Sequence, residues 1–119
     1  MKYAFLLYDD PTGAPEWDSP EMAAEMKQWF AFTEELGTAG AMLGGEALQG
    51  TETSTSVQVR NGSTVTSDGP FAETKEVLGG FYLVEAEDLD AAIKWAEKIP
   101  SVGHGTVEIR PIMEIPEQG

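Results

Sequence analysis

The side chains best suited to acid–base chemistry lie next to two stretches that favour β-structure, one just before such a stretch and one just after. His104 is the chain's single histidine and lies in a glycine-flanked loop. An imidazole with its ordinary pKa near neutrality can either accept or donate a proton. Asp68 ends a β-forming run just before a Gly-Pro turn, where a carboxylate can act as acid, base or ligand anchor. Asp68 and His104 are therefore the candidate catalytic residues, with Tyr8 or Asp9, at the end of the first strand, as a partner for His104.

A second group of side chains is suited to binding a ligand. Arg110 can hold a carboxylate ligand with two parallel hydrogen bonds, or it can form an ordinary ion pair. Glu108 lies two residues before Arg110 on the same side of the predicted strand and competes for its charge. The candidate substrate-binding residues are Arg110, Tyr8, Glu73 and Phe71.

The acidic residues after Asp68 allow more than one interpretation. Glu73 and Glu76 are either solvated or share a site with Asp68, where close carboxylates raise the pKa of one of them. Lys75, between the two glutamates, can equally neutralise them. Asp68 also has a purely structural interpretation, in which it caps a tight turn and Phe71 packs into the core. For His104 the structural alternative is an ordinary exposed loop residue.

Composition excludes several classes of function. The 119 residues include 21 acids and 7 bases, for a net charge of −14. That charge disfavours nucleic acid and anionic membrane surfaces as partners, because both are bound mainly through Lys and Arg. The absence of cysteine excludes disulfides, thiolate catalysis and cysteine metal sites. Phosphate-binding, dinucleotide, hydrolase and zinc-protease motifs are also absent, so we expect no metal and no cofactor.

The N-terminal apolar run is too short to direct export. Tyr3 to Tyr8 is about half the length of a usual signal-peptide core and is followed by two aspartates. No segment approaches the roughly 20 apolar residues of a membrane-spanning helix. We expect a cytoplasmic protein.

The first half of the chain predicts a strand, a helix, a strand and a hairpin. Lys2–Tyr8 is a buried strand, and Ser19 caps a helix that starts at Pro20 and ends near Gly37. The predicted buried stripe of this helix consists of Met22, Met26, Trp29, Phe30, Thr33 and Leu36. A weak strand, Ala41–Leu48, precedes a hairpin of Thr53–Arg60 and Ser63–Ser67, whose Asn-Gly dipeptide indicates a type I′ turn.

The second half predicts a strand, a helix and a strand. Gly80–Glu85 is an interior strand, Asp88 caps a second helix, and Thr106–Ile115 is a final strand that Pro111 places at a sheet edge or bulge. The expected buried stripe of the second helix consists of Leu89, Ala92, Ile93 and Ala96.

The order of elements predicts one α+β domain over residues 1–119, with a ferredoxin-like split βαβ arrangement and an inserted hairpin. Both helices then cover one face of an antiparallel sheet. The other face needs a cover that the chain does not supply, so we expect a homodimer packed sheet to sheet.

The segment from Asp68 to Phe81, DGPFAETKEVLGGF, resembles the signature of the DGPF-motif group in the YCII-related superfamily. Supporting matches are Glu85, Leu89–Ala96 and Val107–Ile112, and the likeness runs from Lys2 to Ile112. The resemblance implies a ferredoxin-like dimeric α+β barrel, in agreement with the pattern of elements.

The resemblance leaves two kinds of function open. Some superfamily members resemble small lyases or dehydrochlorinases with a His–Asp pair, which implies a small-molecule-binding protein or a weak lyase or isomerase. DGPF-type proteins are also often associated with extracytoplasmic-function sigma factors, which implies a non-catalytic regulatory or interaction module with that partner. In the lyase-like relatives the histidine lies in the first helix, whereas Glu25–Trp29 contains none here. The family's His–Asp pair is therefore not carried over to this chain.

Overall fold

The computed structural model describes residues 1–116, which form two helices and six strands. In chain order these elements are β1 (Lys2–Asp9), α1 (Pro20–Thr38), β2 (Met42–Ala47), β3 (Thr55–Arg60), β4 (Ser63–Asp68), β5 (Val77–Glu85), α2 (Leu89–Ala96) and β6 (Thr106–Pro111). Short 3-10 turns occupy Pro11–Gly13 and Thr51–Thr53.

The sheet has the predicted ferredoxin-like topology. Its four strands lie in the order β2-β5-β1-β6, and each neighbouring pair is antiparallel. The β3–β4 hairpin forms a separate two-stranded sheet between β2 and β5 in the chain. Since β6 lies at a sheet edge, Pro111 is tolerated there, as the sequence predicts, although the strand ends at that proline and does not reach Ile115.

One face of the sheet carries the core. Tyr3 and Phe5 of β1 and Val84 of β5 are almost completely buried against the helices. Tyr82 joins them from β5, and its hydroxyl lies 2.9 Å from the Thr33 hydroxyl of α1. This hydrogen bond ties the longer helix to the centre of the sheet.

The predicted stripe of α1 is correct except at one aromatic position. The Ser19 side chain accepts a hydrogen bond from the Met22 amide at 3.1 Å, which confirms the predicted cap. Phe32 is 3% exposed and packs in the core, whereas Phe30 is 66% exposed. The prediction of Phe30 was wrong because the buried line runs through positions 29, 32, 33 and 36, and position 30 lies beside that line, at the exposed edge of the stripe.

The second helix packs through small side chains. Asp88 accepts a hydrogen bond from the Ala91 amide at 2.9 Å, which confirms the predicted cap. Ala92 and Ala96 are buried, but Leu89 and Ile93, which were predicted to be buried, are exposed. The contact with the sheet follows the line of the two alanines, so the larger side chains lie beside that contact.

The hairpin forms as its turn residues predict. Asn61 and Gly62 both have positive φ angles, of 53° and 77°, as a type I′ turn requires. Val59 pairs with Thr64 and Val57 with Thr66, in the register that a two-residue turn dictates.

Within residues 1–116 neither helix is both long enough and apolar enough to cross a lipid bilayer.

Candidate functional site

The structure brings together an aspartate and a histidine at the end of β1. The Nδ1 atom of His104 lies 3.2 Å from Oδ1 and 3.1 Å from Oδ2 of Asp9. Asp9 Oδ1 also accepts the Asp10 amide hydrogen at 2.8 Å, which restrains the carboxylate. Of the two partners proposed for His104 from the sequence, Asp9 is therefore the one in contact.

The loop that carries His104 is anchored on both sides. Ile99 is buried in the core, and the Ser101 carbonyl accepts hydrogen bonds from the amides of His104 and Gly105. Gly105 passes so close to β1 that a Cβ atom there would lie 2.4 Å from the Tyr8 carbonyl oxygen. The glycine therefore allows the approach that places His104 beside Asp9.

A cleft of about 450 Å³ adjoins the pair. It is lined by Asp9, Asp10, Gly13, Ala14, Pro15, Met22, Glu25 and His104. The floor thus comes from the end of β1 and the loop before α1, and one wall comes from the first turns of α1. Three carboxylates and one imidazole face a space large enough for a small molecule.

Asp10 organises the loop on one side of this cleft. Its carboxylate accepts hydrogen bonds from the amide and the hydroxyl of Thr12, at 3.0 and 2.7 Å, and caps the 3-10 turn. The Thr12 amide, followed by the Thr12 hydroxyl, lowers the pKa of Asp10 below its ordinary value of 3.8, and Lys75 adds a smaller effect in the same direction. The carboxylate that supports the loop is therefore held in its charged form.

Glu76 reaches the same end of the sheet from the segment before β5. Its two carboxylate oxygens lie 3.1 and 3.4 Å from the Thr106 hydroxyl, at the start of β6. Thr106 pairs with Tyr8 across the sheet, and Tyr8 is half-buried. Of the acidic residues weighed after the Gly-Pro turn, Glu76 is thus the one placed near the ends of β1 and β6.

The other candidate residues of this part of the chain, Asp68, Phe71 and Glu73, lie away from the cleft that contains His104. Asp68 is exposed at the end of β4, within the separate hairpin, and the structure shows no contact between Asp68 and His104. Phe71 is 82% exposed, so the interpretation that it packs into its own chain's core was wrong. The segment between the hairpin and β5 lies outside the helix–sheet sandwich, which removes Phe71 from that core. Glu73 is exposed in the same segment.

Arg110 has a partner on its own strand. Its guanidinium donates a hydrogen bond to the Glu108 carboxylate, the competitor that the spacing predicted. Arg110 lies four residues beyond Thr106 along β6, which corresponds to about 13 Å of extended chain. The structure therefore places Arg110 away from the cleft that contains His104.

A second depression, of about 470 Å³, lies between the helices and is lined by Ala31, Glu34, Glu35, Thr38, Ala39 and Trp95. Glu35 is bonded to Lys98 there, and no histidine is near, so this depression lacks the acid–base pair of the first.

Comparison of this chain with known proteins shows the family to which it belongs. A family model described as the YCII-related domain matches residues 1–116. This chain belongs to the YCII-related family. It is similar to an uncharacterized protein of Rhizobium meliloti (strain 1021), with 33% identity over 114 residues that span 94% of this chain and 92% of that protein. The YCII-related match therefore covers the sheet, both helices and the whole cleft.

Sequence reasoning missed part of the cleft in this YCII-related chain. Asp10, Met22 and Glu25 line it but were not candidates. The segment Asp10-Pro11-Thr12 could have predicted a turn that Asp10 stabilises, since an aspartate often accepts a hydrogen bond from the amide two residues later. Glu25 carries no such signal, because a helical carboxylate is ordinarily solvated. Among residues 1–116 no group of three or more His, Asp or Glu side chains is arranged to hold a metal ion.

Proposed function

We propose that this protein binds a small molecule in the cleft beside Asp9 and His104 and moves a proton there, as a weak lyase or isomerase would. The observation that carries the proposal is the contact of His104 Nδ1 with the Asp9 carboxylate, at 3.1 Å, on the wall of a cleft of about 450 Å³. Membership of the YCII-related family supports the fold but does not specify a reaction.

The pair has the geometry of an oriented base. When Asp9 accepts the hydrogen on Nδ1, the lone pair of the imidazole is left on Nε2. The carboxylate also stabilises the imidazolium that forms when Nε2 accepts a proton. His104 would thus be the group that exchanges a proton with the ligand, and Asp9 would be a positioning residue.

The charges around the cleft favour a neutral or cationic ligand. Asp9, Asp10 and Glu25 line it, and Arg110, which the sequence suggested as an anchor for an anion, is bonded to Glu108 along β6. A ligand carboxylate would meet like charges, whereas an amine or a neutral carbonyl compound would not. We therefore propose a ligand with an acidic C–H bond and no negative charge.

Binding is tested with a panel of neutral carbonyl compounds, amines and matched carboxylates, read by thermal shift and by ligand-observed NMR. We expect neutral or cationic members to stabilise the wild-type protein, since a ligand at about 100 times its Kd adds roughly 2.7 kcal/mol. The Asp9→Asn and His104→Gln variants should lose this response. Glu87→Gln, an equal charge change at an exposed residue outside the cleft, should keep it.

Proton transfer is tested by incubating each binder with protein in D₂O and following loss of its C–H signal. We expect exchange with the wild-type protein and a rate about 100-fold lower or less with His104→Gln, since general acid–base catalysis contributes about 10²–10⁴-fold. A panel with no binder, or binders whose exchange rate is the same with wild type and His104→Gln, would refute the proposal.

A second candidate function is a non-catalytic module that engages a basic partner, such as an extracytoplasmic-function sigma factor. The net charge of −14 favours it, since complementary charge speeds and steers association. Such binding should weaken steeply with salt and should be indifferent to His104→Gln. A pull-down of the partner at low and high salt, with the wild-type protein and with His104→Gln, separates the two functions.

A further inference from the structure

Glu25 lies on a different wall of the cleft from the Asp9–His104 pair. It belongs to α1, whereas Asp9 ends β1 and His104 precedes β6. Met22, three residues earlier on the same side of the helix, lines that wall as well. Since Glu25 is only half-buried, its carboxylate can meet a molecule that enters between the two walls.

The three carboxylates of the cleft differ in what they contact. Asp9 contacts His104, and Asp10 caps the 3-10 turn that follows it. None of the ion pairs within residues 1–116 includes Glu25. No lysine or arginine of the described part of the chain lines the cleft. A ligand is therefore the available source of a positive charge for Glu25 inside the cleft.

The charge that a ligand carries after it loses a proton distinguishes a cationic substrate from a neutral one. When a C–H bond beside a carbonyl group gives its proton to Nε2 of His104, the C–H electron pair forms the C=C bond of an enolate, and the carbonyl π pair moves to oxygen. A neutral carbonyl compound thereby becomes an anion in a space lined by three carboxylates, where like charges raise its free energy. A substrate with an ammonium group becomes a zwitterion without net charge, so its enolate is favoured in this cleft.

We propose that Glu25 determines the specificity of the cleft by binding the ammonium group of an amino-carbonyl substrate. The inference rests on the function proposed above and narrows its ligand from neutral or cationic compounds to cationic ones. The ammonium group donates a hydrogen bond to Glu25 on the α1 wall, and the carbonyl end extends towards His104 on the other wall. Attachment at one end and proton transfer at the other select which hydrogen is removed. Glu25 takes no part in the proton transfer itself.

Binding is tested by calorimetry with pairs of ketones that differ only in an amino or a hydroxyl group. The pairs are aminoacetone with hydroxyacetone, and phenacylamine with phenacyl alcohol. The wild-type protein should bind each amine about tenfold or more tightly than its alcohol, because a hydrogen bond between two charged groups is stronger than one with a neutral donor. Glu25→Gln removes the charge and keeps the size of the side chain, so the ratio should fall below about threefold.

Two further variants separate the charge of Glu25 from general effects on the protein. Glu25→Asp keeps a carboxylate at this position and should retain part of the preference for amines. Glu34→Gln makes the same change of charge at an exposed residue of α1 that does not line this cleft, about 13 Å further along the helix, and should keep the wild-type ratio.

Carboxyl-carbon NMR reports whether Glu25 itself receives the ammonium group. Titration with aminoacetone should shift the Glu25 signal, and titration with hydroxyacetone should leave it unchanged. A purely structural role of Glu25 would produce no such difference between the two ketones. Equal shifts of the Glu25 signal with both ketones would therefore contradict the assignment.

Failure of this inference can be told apart from failure of the proposed function. Suppose that neutral compounds bind and exchange a proton in a reaction that depends on His104. If alcohols then bind as tightly as amines, or if the preference for amines survives Glu25→Gln, the role of Glu25 is wrong and the proposed function stands. If neither the amines nor the neutral carbonyl compounds bind at all, both are wrong.

Discussion

Asp9 and His104 are 95 residues apart in sequence, yet the histidine Nδ1 lies 3.2 Å from one carboxylate oxygen of the aspartate. The contact arises because β1 and β6 are neighbours, so the end of one strand meets the loop before the other. Both side chains are substantially exposed, at 62% for the histidine and 41% for the aspartate. The contact therefore positions a reactive group more than it stabilises the fold.

A double-mutant cycle should show that this pair contributes little to stability. We expect Asp9→Asn and His104→Gln to couple by about 0.2–1 kcal/mol in the free energy of unfolding at neutral pH, as exposed pairs do. Urea unfolding of the wild type, both single variants and the double variant measures the coupling. A coupling above about 2 kcal/mol would show instead that the pair is chiefly structural, since it exceeds the range of exposed pairs.

Gly105→Ala should disrupt the site through the backbone. Its Cβ would lie 2.4 Å from the Tyr8 carbonyl oxygen, so the loop must move away from β1. We expect a loss of about 1–3 kcal/mol in stability, together with weaker ligand binding in the cleft. Gly103→Ala is the control, because nothing lies within 4 Å of a Cβ atom there. Equal stability losses in the two variants would show that the close approach is not what positions the loop.

The Asp10 carboxylate should titrate below its ordinary pKa of 3.8 because Thr12 donates two hydrogen bonds to it. A pKa that is lower in the folded state means that Asp10 stabilises the fold above the unfolded pKa. This contribution disappears as the pH falls through the lower, folded value. Thr12→Val removes the hydroxyl and keeps the amide, so the Asp10 pKa should rise part of the way towards 3.8. Carboxyl-carbon NMR measures it, and an Asp10 pKa that Thr12→Val leaves unchanged would contradict the assignment of that hydroxyl.

Two phenylalanines of α1 provide a matched test of its orientation. Phe32→Ala empties a position that is 3% exposed, so it should cost about 3–5 kcal/mol. Phe30→Ala alters a side chain that is 66% exposed and should stay within about 0.5 kcal/mol. Denaturant unfolding of both variants distinguishes them. Comparable losses would mean that α1 is rotated relative to the sheet.

Local patterns in the sequence were sufficient for most of the fold. Ser19 and Asp88 cap their helices, and Asn61-Gly62 forms the turn of the hairpin, because each of these features depends on residues only a few positions apart. The order of elements likewise indicated the ferredoxin-like arrangement, since few topologies suit two strand–helix–strand units. The choice between Phe30 and Phe32 was beyond such patterns, because both positions lie near the edge of an apolar stripe.

The residue types at the cleft were visible in the sequence, and their association was not. His104 stood out as the single histidine, but its contact with Asp9 and its separation from Asp68 depend on which strands are neighbours in the sheet. The functional group of a side chain is known from the residue type alone. Distance between residues far apart in the chain is set only when burial of Tyr3, Phe5 and Val84 brings the strands together, so the tertiary structure alone decided which side chains share the cleft.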